Sequence, residues 1–107
     1  INLQEYFIVA YLNRFNRVLG VLVLSKGGIT GTLADIRLVF GTALKAAASG
    51  IIISHNHPSG NLKPSSVDLA LTEKMVDAGK LLDIRLLDHI IIASDYEYLS
   101  LSDVGKI

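Results

Sequence analysis

The stretch Ile51-Ile52-Ile53-Ser54-His55-Asn56-His57-Pro58-Ser59-Gly60-Asn61-Leu62-Lys63-Pro64-Ser65-Ser66-Val67-Asp68 decides how the chain folds. Its three consecutive isoleucines are β-branched and wholly apolar, so they predict a short buried strand over Ile51–Ser54. Turn chemistry follows over His55–Pro64, where both prolines of the chain fall together with Ser59, Gly60 and Asn61. Ser65 then opens a helix, with Val67, Leu71, Met75, Ala78 and Leu82 predicted on one face.

Working outward toward the N-terminus, Ile36, Val39/Phe40, Ala43/Leu44 and Ala47 recur every three to four residues and predict a helix over about 33–49, with Gly50 as its C-terminal cap. Lys26 to Thr32 holds three glycines and reads as a loop. Before it lie two apolar stretches, Glu5–Leu12 and Val18–Leu24, separated by the turn-forming Asn13-Arg14-Phe15-Asn16. Together they predict a hairpin. Toward the C-terminus, Ile84–Leu87 and His89–Ala93 supply one long strand or two short ones. The tail from Tyr96 to Ile107 reads as a last strand or a short helix. Strand, strand, helix, strand, helix, strand is the pattern of an α/β sandwich with a mixed sheet, and the high apolar content predicts several strands buried on both faces.

A chain of 107 residues is sized for one domain, 1–107. Half of its residues are apolar and 19% are charged, which is a globular composition. The absence of cysteine excludes disulfides, thiolate metal ligands and a cysteine nucleophile. Any metal must therefore be held by His, Asp, Glu or water. A cytoplasmic setting fits this usage. No apolar run approaches the ~18–20 residues of a membrane span, and no signal-peptide pattern is present. The chain opens at Ile1, directly on strand-like sequence, and reads as a domain cut from a longer protein. The net charge is zero but uneven: residues 1–64 carry +4 and residues 65–107 carry −4. This reads as solvated faces and lacks the basic excess of a DNA-binding domain.

The chemistry concentrates at the end of the Ile51–Ser54 strand. Side chains two apart on a strand share a face, so His55 and His57 can reach one point while Asn56 turns away. Pro58 ends the strand there, and strand ends in α/β sheets are where ligand crevices form. Asp68 lies in the first turn of the following helix, which returns the chain to the strand end. Two imidazoles and a carboxylate, with a water as fourth ligand, form the pattern of a catalytic zinc site. Bound zinc lowers the pKa of water from ~15.7 toward ~7. Ser65-Ser66-Val67-Asp68 has a second reading as a helix capping box, and the two readings can coexist. Asp35 is expected in the first turn of the first helix, matched to the helix dipole. His89 reads as a paired polar residue on a buried strand, with an outer-sphere role at the metal as the alternative. Ser59, with Gly60 and Asn61, belongs to the turn. Tyr6, Phe7, Tyr11 and Phe15 read as core or hairpin packing.

His55-x-His57-Pro58, six residues, then Ser65-x-x-Asp68 resembles the JAMM motif of the MPN+ zinc metalloproteases. The fuller string His-Asn-His-Pro-Ser-Gly, with Pro64-Ser65, Asp68 and Leu87-Asp88-His89-Ile90-Ile91-Ile92, is similar to the bacterial RadC family over essentially the whole chain. The resemblance implies a cytidine-deaminase-like three-layer α/β/α fold and one zinc on His55, His57 and Asp68. It also implies that Ser65 helps to hold the oxyanion, with Ser59 as the rival donor, and that a glutamate moves the proton. The glutamate is Glu5, in the segment Glu5-Tyr6-Phe7 that matches the family's Glu-x-Phe. A single carboxylate can serve as base and then as acid.

Two functions of different class follow. One is a zinc-dependent hydrolase of amide or isopeptide bonds acting on a peptide or protein. The other is a nucleic-acid-linked accessory module, since RadC proteins carry a DNA-repair label and commonly an N-terminal helix-hairpin-helix segment that is not in this sequence. A metal-binding scaffold without chemistry is a third reading, and a homodimer is compatible with each. A zinc deaminase is disfavoured because its site needs a cysteine pair.

Overall fold

The computed structural model describes residues 5–25, 35–94 and 97–107. The predicted loop Lys26–Thr32 and the first residues of the predicted first helix lie outside them. The elements are β1 (Tyr6–Leu12), β2 (Val18–Ser25), α1 (Ile36–Lys45), β3 (Gly50–Asn56), α2 (Ser66–Leu82), β4 (Arg85–Ser94) and β5 (Glu97–Ser100).

The five strands form one sheet in the order β2-β1-β3-β4-β5. Only β3 and β4 are parallel, joined through α2; the other neighbours are antiparallel. The mixed sheet expected from the sequence is therefore present. β4 is one long strand with a register irregularity near its start, so the two segments predicted there are continuous. The tail divides into β5 followed by a turn-rich end.

Strand alternation divides the sheet into two unlike faces. One carries Phe7, Val9 and Tyr11 of β1, Ile51, Ile53 and His55 of β3, and Leu86, His89 and Ile91 of β4, all buried. Both helices pack on this face. Val39, Phe40 and Ala43 of α1 and Met75 of α2 join the strand residues in a single core. The Tyr11 hydroxyl donates to the Val39 carbonyl at 2.8 Å, tying α1 to β1. That hydroxyl's pKa is raised, chiefly because it is buried. The opposite face stays open: Tyr6, Ile8, Val21, Val23 and Ile92 are each between 38% and 58% exposed. Among the described residues the protein thus has two layers, not the three implied by the resemblance, and the strands are not buried on both faces. The apolar run of β1 suggested burial on both sides, yet its odd-numbered residues alone meet the helices.

The helix ends also depart from expectation. α1 stops at Lys45, before Gly50. Ala47 takes a left-handed φ of 55°, and Ala47 and Ala48 return their N–H groups to Leu44 and Ala43 at 3.2 and 2.9 Å. This is a Schellman closure with alanine where glycine is usual. It lets the chain reverse so that Ala48 is buried and Gly50 can begin β3. Asp35 is the N-cap of α1, not a first-turn residue, and accepts from the Arg37 N–H at 2.9 Å. In α2 the buried positions are Thr72, Met75 and Gly79, whereas Val67 and Leu82 of the predicted face are exposed. Gly79 lies against the backbone of the link that follows α2. A Cβ there would stand 2.1 Å from the Ile84 carbonyl oxygen.

Two substitutions test this packing. Gly79→Ala should lower stability to urea by about 1–3 kcal/mol, because the Ile84 backbone that closes the end of α2 must move to admit the methyl group. Ala47→Gly should raise stability by up to about 1 kcal/mol, because it removes the side-chain cost of a left-handed residue. Urea midpoints at constant slope read both.

Candidate metal centre

β1 and β3 build the first wall of the site. Their antiparallel register sets Phe7 opposite His55, and the two rings stack with centroids 5.9 Å apart. Beyond that pair, the Asn56 side-chain oxygen accepts from the Tyr6 N–H at 2.6 Å. Asn56 does turn away from its histidine neighbours, and it grips the start of β1, one residue from Glu5. Glu5 is half-buried, and its charge acts on His55.

The second wall is the loop from β3 to α2. The His57 N–H still pairs with the Ile92 carbonyl at 2.8 Å, so β4 fixes the backbone one residue past β3. Pro58 and Ser59 form a turn closed by Gly60, which donates to the His57 carbonyl at 3.0 Å and has a φ of 82°. The loop then brings the Asn61 carbonyl to 2.7 Å from His57 Nδ1. A carbonyl only accepts, so His57 carries a hydrogen on Nδ1, and in the neutral ring that leaves Nε2 bare toward Asp68.

The third wall is the N-terminus of α2. Ser65 is its N-cap: its hydroxyl accepts from the Asp68 N–H at 3.0 Å, and its own N–H donates to Asp68 Oδ2 at 2.9 Å. The capping box is therefore present. The same Asp68 carboxylate reaches both imidazoles, with Oδ2 3.0 Å from His57 Nε2 and Oδ1 3.2 Å from His55 Nε2. The two Nε2 atoms are 2.9 Å apart. Among the described residues these three side chains form a group that can hold a metal ion.

The site's electrostatics suit a cation. His55 is held below the usual imidazole range, first by burial, although the Asp68 and Glu5 charges oppose this. Burial pushes the Asp68 carboxyl up, but the Ser65 N–H and hydroxyl and the two histidines outweigh it, leaving the group below the usual range. Near neutral pH the site therefore offers a carboxylate and unprotonated imidazole, which is the state a metal requires. Nitrogen and oxygen donors with no sulfur suit zinc and other first-row divalent ions.

Behind His55 lies His89, wholly buried, with its Nε2 2.8 Å from His55 Nδ1 and its Nδ1 2.7 Å from the Thr72 hydroxyl. Burial, followed by the His55 charge, pushes the His89 pKa down to about 4. Of the sequence-predicted residues, the structure thus gathers His55, His57 and Asp68 and sets Glu5 and Ser65 at their edge. Ser59 remains in the turn with its hydroxyl 3.4 Å from the Asn61 N–H. Thr72 and the Asn61 carbonyl were not singled out from sequence. A threonine one turn after Asp68 was the available signal for the first.

The RadC-like JAB domain model matches residues 2–106. The chain belongs to the RadC-like JAB domain family. Its curated relatives include UPF0758 proteins of Flavobacterium johnsoniae, 48% identical over 102 residues, and of Methanosarcina mazei, 45% identical over 102 residues. Each alignment covers 95% of this chain and 44% of the relative. A UPF0758 protein of Trichodesmium erythraeum is 48% identical over 104 residues, covering 97% of this chain and 42% of the relative. This RadC-like domain therefore spans less than half the length of these relatives. No helix among its described residues is long and apolar enough to cross a membrane.

His89 gives the metal-free domain a definite pH response. Its folded pKa of about 4 lies below the ordinary value of 6.5, so the unfolded chain takes up the proton first as pH falls. The stability associated with neutral His89 is complete above about pH 6.5 and is lost as pH falls toward about 4. Urea titrations across this window should show a smaller loss in His89→Gln than in the parent protein. An equal loss would mean that His89 does not titrate in this way.

Proposed function

We propose that this domain is a zinc-dependent hydrolase of amide or isopeptide bonds in a peptide or protein substrate. The observation that carries the reading is the meeting of His55 Nε2, His57 Nε2 and an Asp68 carboxylate, each within 3.2 Å of the others. Two imidazole nitrogens and the two carboxylate oxygens that face them converge there, a donor set that a proton or a metal cation stabilises. Family membership supports the same reading.

Zinc held by His55, His57 and Asp68, with water completing the set, would supply Lewis acidity to activate water and polarise a carbonyl. The remaining work falls to the protein. Glu5, held near His55 by the grip of Asn56 on the next residue, takes the proton from the attacking water and returns it to the departing amine. The Ser65 hydroxyl accepts from the Asp68 N–H, so its own hydrogen is free to donate to the developing oxyanion. The reading extends to a cytoplasmic domain and to kinship with cytidine-deaminase-like folds through the β3–α2–β4 unit. Charge balance gives a nucleic-acid role no comparable support.

Metal analysis of purified protein and a screen on peptide and isopeptide substrates test the proposal. The parent should hold about one zinc per chain and cleave at least one substrate, and His57→Ala should lose both properties. Glu5→Gln should keep its zinc while its rate falls by about 10²–10⁴-fold. A Glu5→Gln protein as active as the parent would remove Glu5 from the mechanism. A parent with no affinity for zinc would remove the proposal.

A further inference from the structure

His55 can serve as a ligand only if its Nε2 is bare, and nothing on the metal side ensures this. An imidazole carries its single hydrogen on either nitrogen, and on Nε2 that hydrogen would point at Asp68 and occupy the metal's place. For His57 the question is closed by the Asn61 carbonyl. For His55 the partner is another histidine, and a ring nitrogen can donate or accept. The tautomer of His55 therefore depends on what His89 does, and His89 depends on Thr72.

The chain of contacts ends on a group with one choice. The Thr72 hydroxyl donates to the Asp68 main-chain carbonyl at 2.8 Å. A hydroxyl has one hydrogen, so at 2.7 Å its oxygen must accept from His89 Nδ1. His89 then has a bare Nε2, which accepts from His55 Nδ1 at 2.8 Å. His55 Nε2 is left bare, facing His57 and Asp68. If the polarity is reversed, every hydrogen shifts by one partner and His55 Nε2 carries a hydrogen into the ligand position. Phe7 walls the same two rings, stacked on His55 at 5.9 Å and edge-on to His89 at 6.0 Å. The relay is shut from water: His55 is 3%, Thr72 2% and His89 0% exposed.

We infer that Thr72 and His89 are positioning residues that set the metal-competent tautomer of His55, with the Asp68 main chain anchoring the relay whose far end meets the Asp68 side chain. One residue would thereby act twice, as ligand through its carboxylate and as terminus of the tautomer relay through its carbonyl. The inference rests on the metal reading above and concerns residues outside the ligand set.

Thr72→Val keeps shape and removes the acceptor, and Thr72→Ser restores it. Without that acceptor, the His89 hydrogen should move from Nδ1 to Nε2, where His55 can still receive it. Two measurements on the whole chain separate the possibilities. Long-range ¹⁵N–¹H correlation spectra of the metal-free protein should show Nδ1–H on His89 in the parent and Thr72→Ser and Nε2–H in Thr72→Val. Zinc dissociation constants from chelator competition should be about 10–100-fold weaker for Thr72→Val and within a few-fold of the parent for Thr72→Ser. Nε2–H on His89 in the parent would overturn the inference. So would an unchanged tautomer or parent-like zinc affinity in Thr72→Val, or a Thr72→Ser protein as weak as Thr72→Val. If the parent itself binds no zinc, the metal reading fails, and the ring tautomers alone decide whether the relay exists.

Discussion

The Asp68 carboxylate is shared between two demands that would ordinarily fall on different residues. It accepts the Ser65 N–H that closes the N-terminus of α2, and it faces the imidazoles of His55 and His57 at 3.0–3.2 Å. A helix start leaves unpaired N–H groups and a partial positive charge, so a carboxylate is stabilised there before any metal is considered. That helps to hold a charge in a half-buried position. It also fixes where the carboxylate can be: the capping geometry leaves it one orientation, and in that orientation it meets the end of β3. Helix, strand end and site are therefore a single arrangement. Displacing α2 from β3 would part Asp68 from both imidazoles while leaving its capping box with Ser65 intact.

The rest of the fold serves to keep those two ends in register. β1 pairs with β3 so that Phe7 lies against His55, β4 holds the His57 backbone through Ile92, and Gly79 lets the end of α2 close against the Ile84 backbone that leads into β4. The buried face is apolar until it reaches the site, where His55, His89 and Thr72 replace aliphatic side chains. Buried imidazoles are tolerable because each nitrogen has a partner. Among the described residues no buried side-chain nitrogen or oxygen lacks one. A polar network satisfied throughout is stiff, and stiffness at a ligand site is what holds a metal's preferred geometry.

Much of the site was legible in the sequence because it is local. His55 and His57 lie two apart on a strand, Pro58 breaks that strand, and Ser65-x-x-Asp68 has the spacing of a helix start. Each is a rule about neighbours along the chain. The Asp68 carboxylate that closes the capping box is the one that faces both imidazoles in the group that could hold a metal. What sequence could not supply was the partner chosen across the sheet. His89 reads from sequence as a structural residue; the β3–β4 register sets it opposite Ile53, and its ring reaches diagonally to His55, Nε2 to Nδ1 at 2.8 Å. The layer count failed for a related reason. Apolar runs in β1 and β2 report that a strand can be buried, but not which face the helices take, and both helices took the same one. Gly50 as a helix cap failed because Ala47 accepts a left-handed conformation that local preference assigns to glycine.

X-ray absorption at the zinc edge of the zinc-loaded protein addresses the central claim most directly, because it sees the ligands rather than their consequences. The account predicts a single site of nitrogen and oxygen donors at about 2.0–2.2 Å. Outer-shell scattering should show two imidazoles in the parent protein and one in His57→Ala if any metal is retained. A spectrum without imidazole scattering, or one unchanged by His57→Ala, would contradict it.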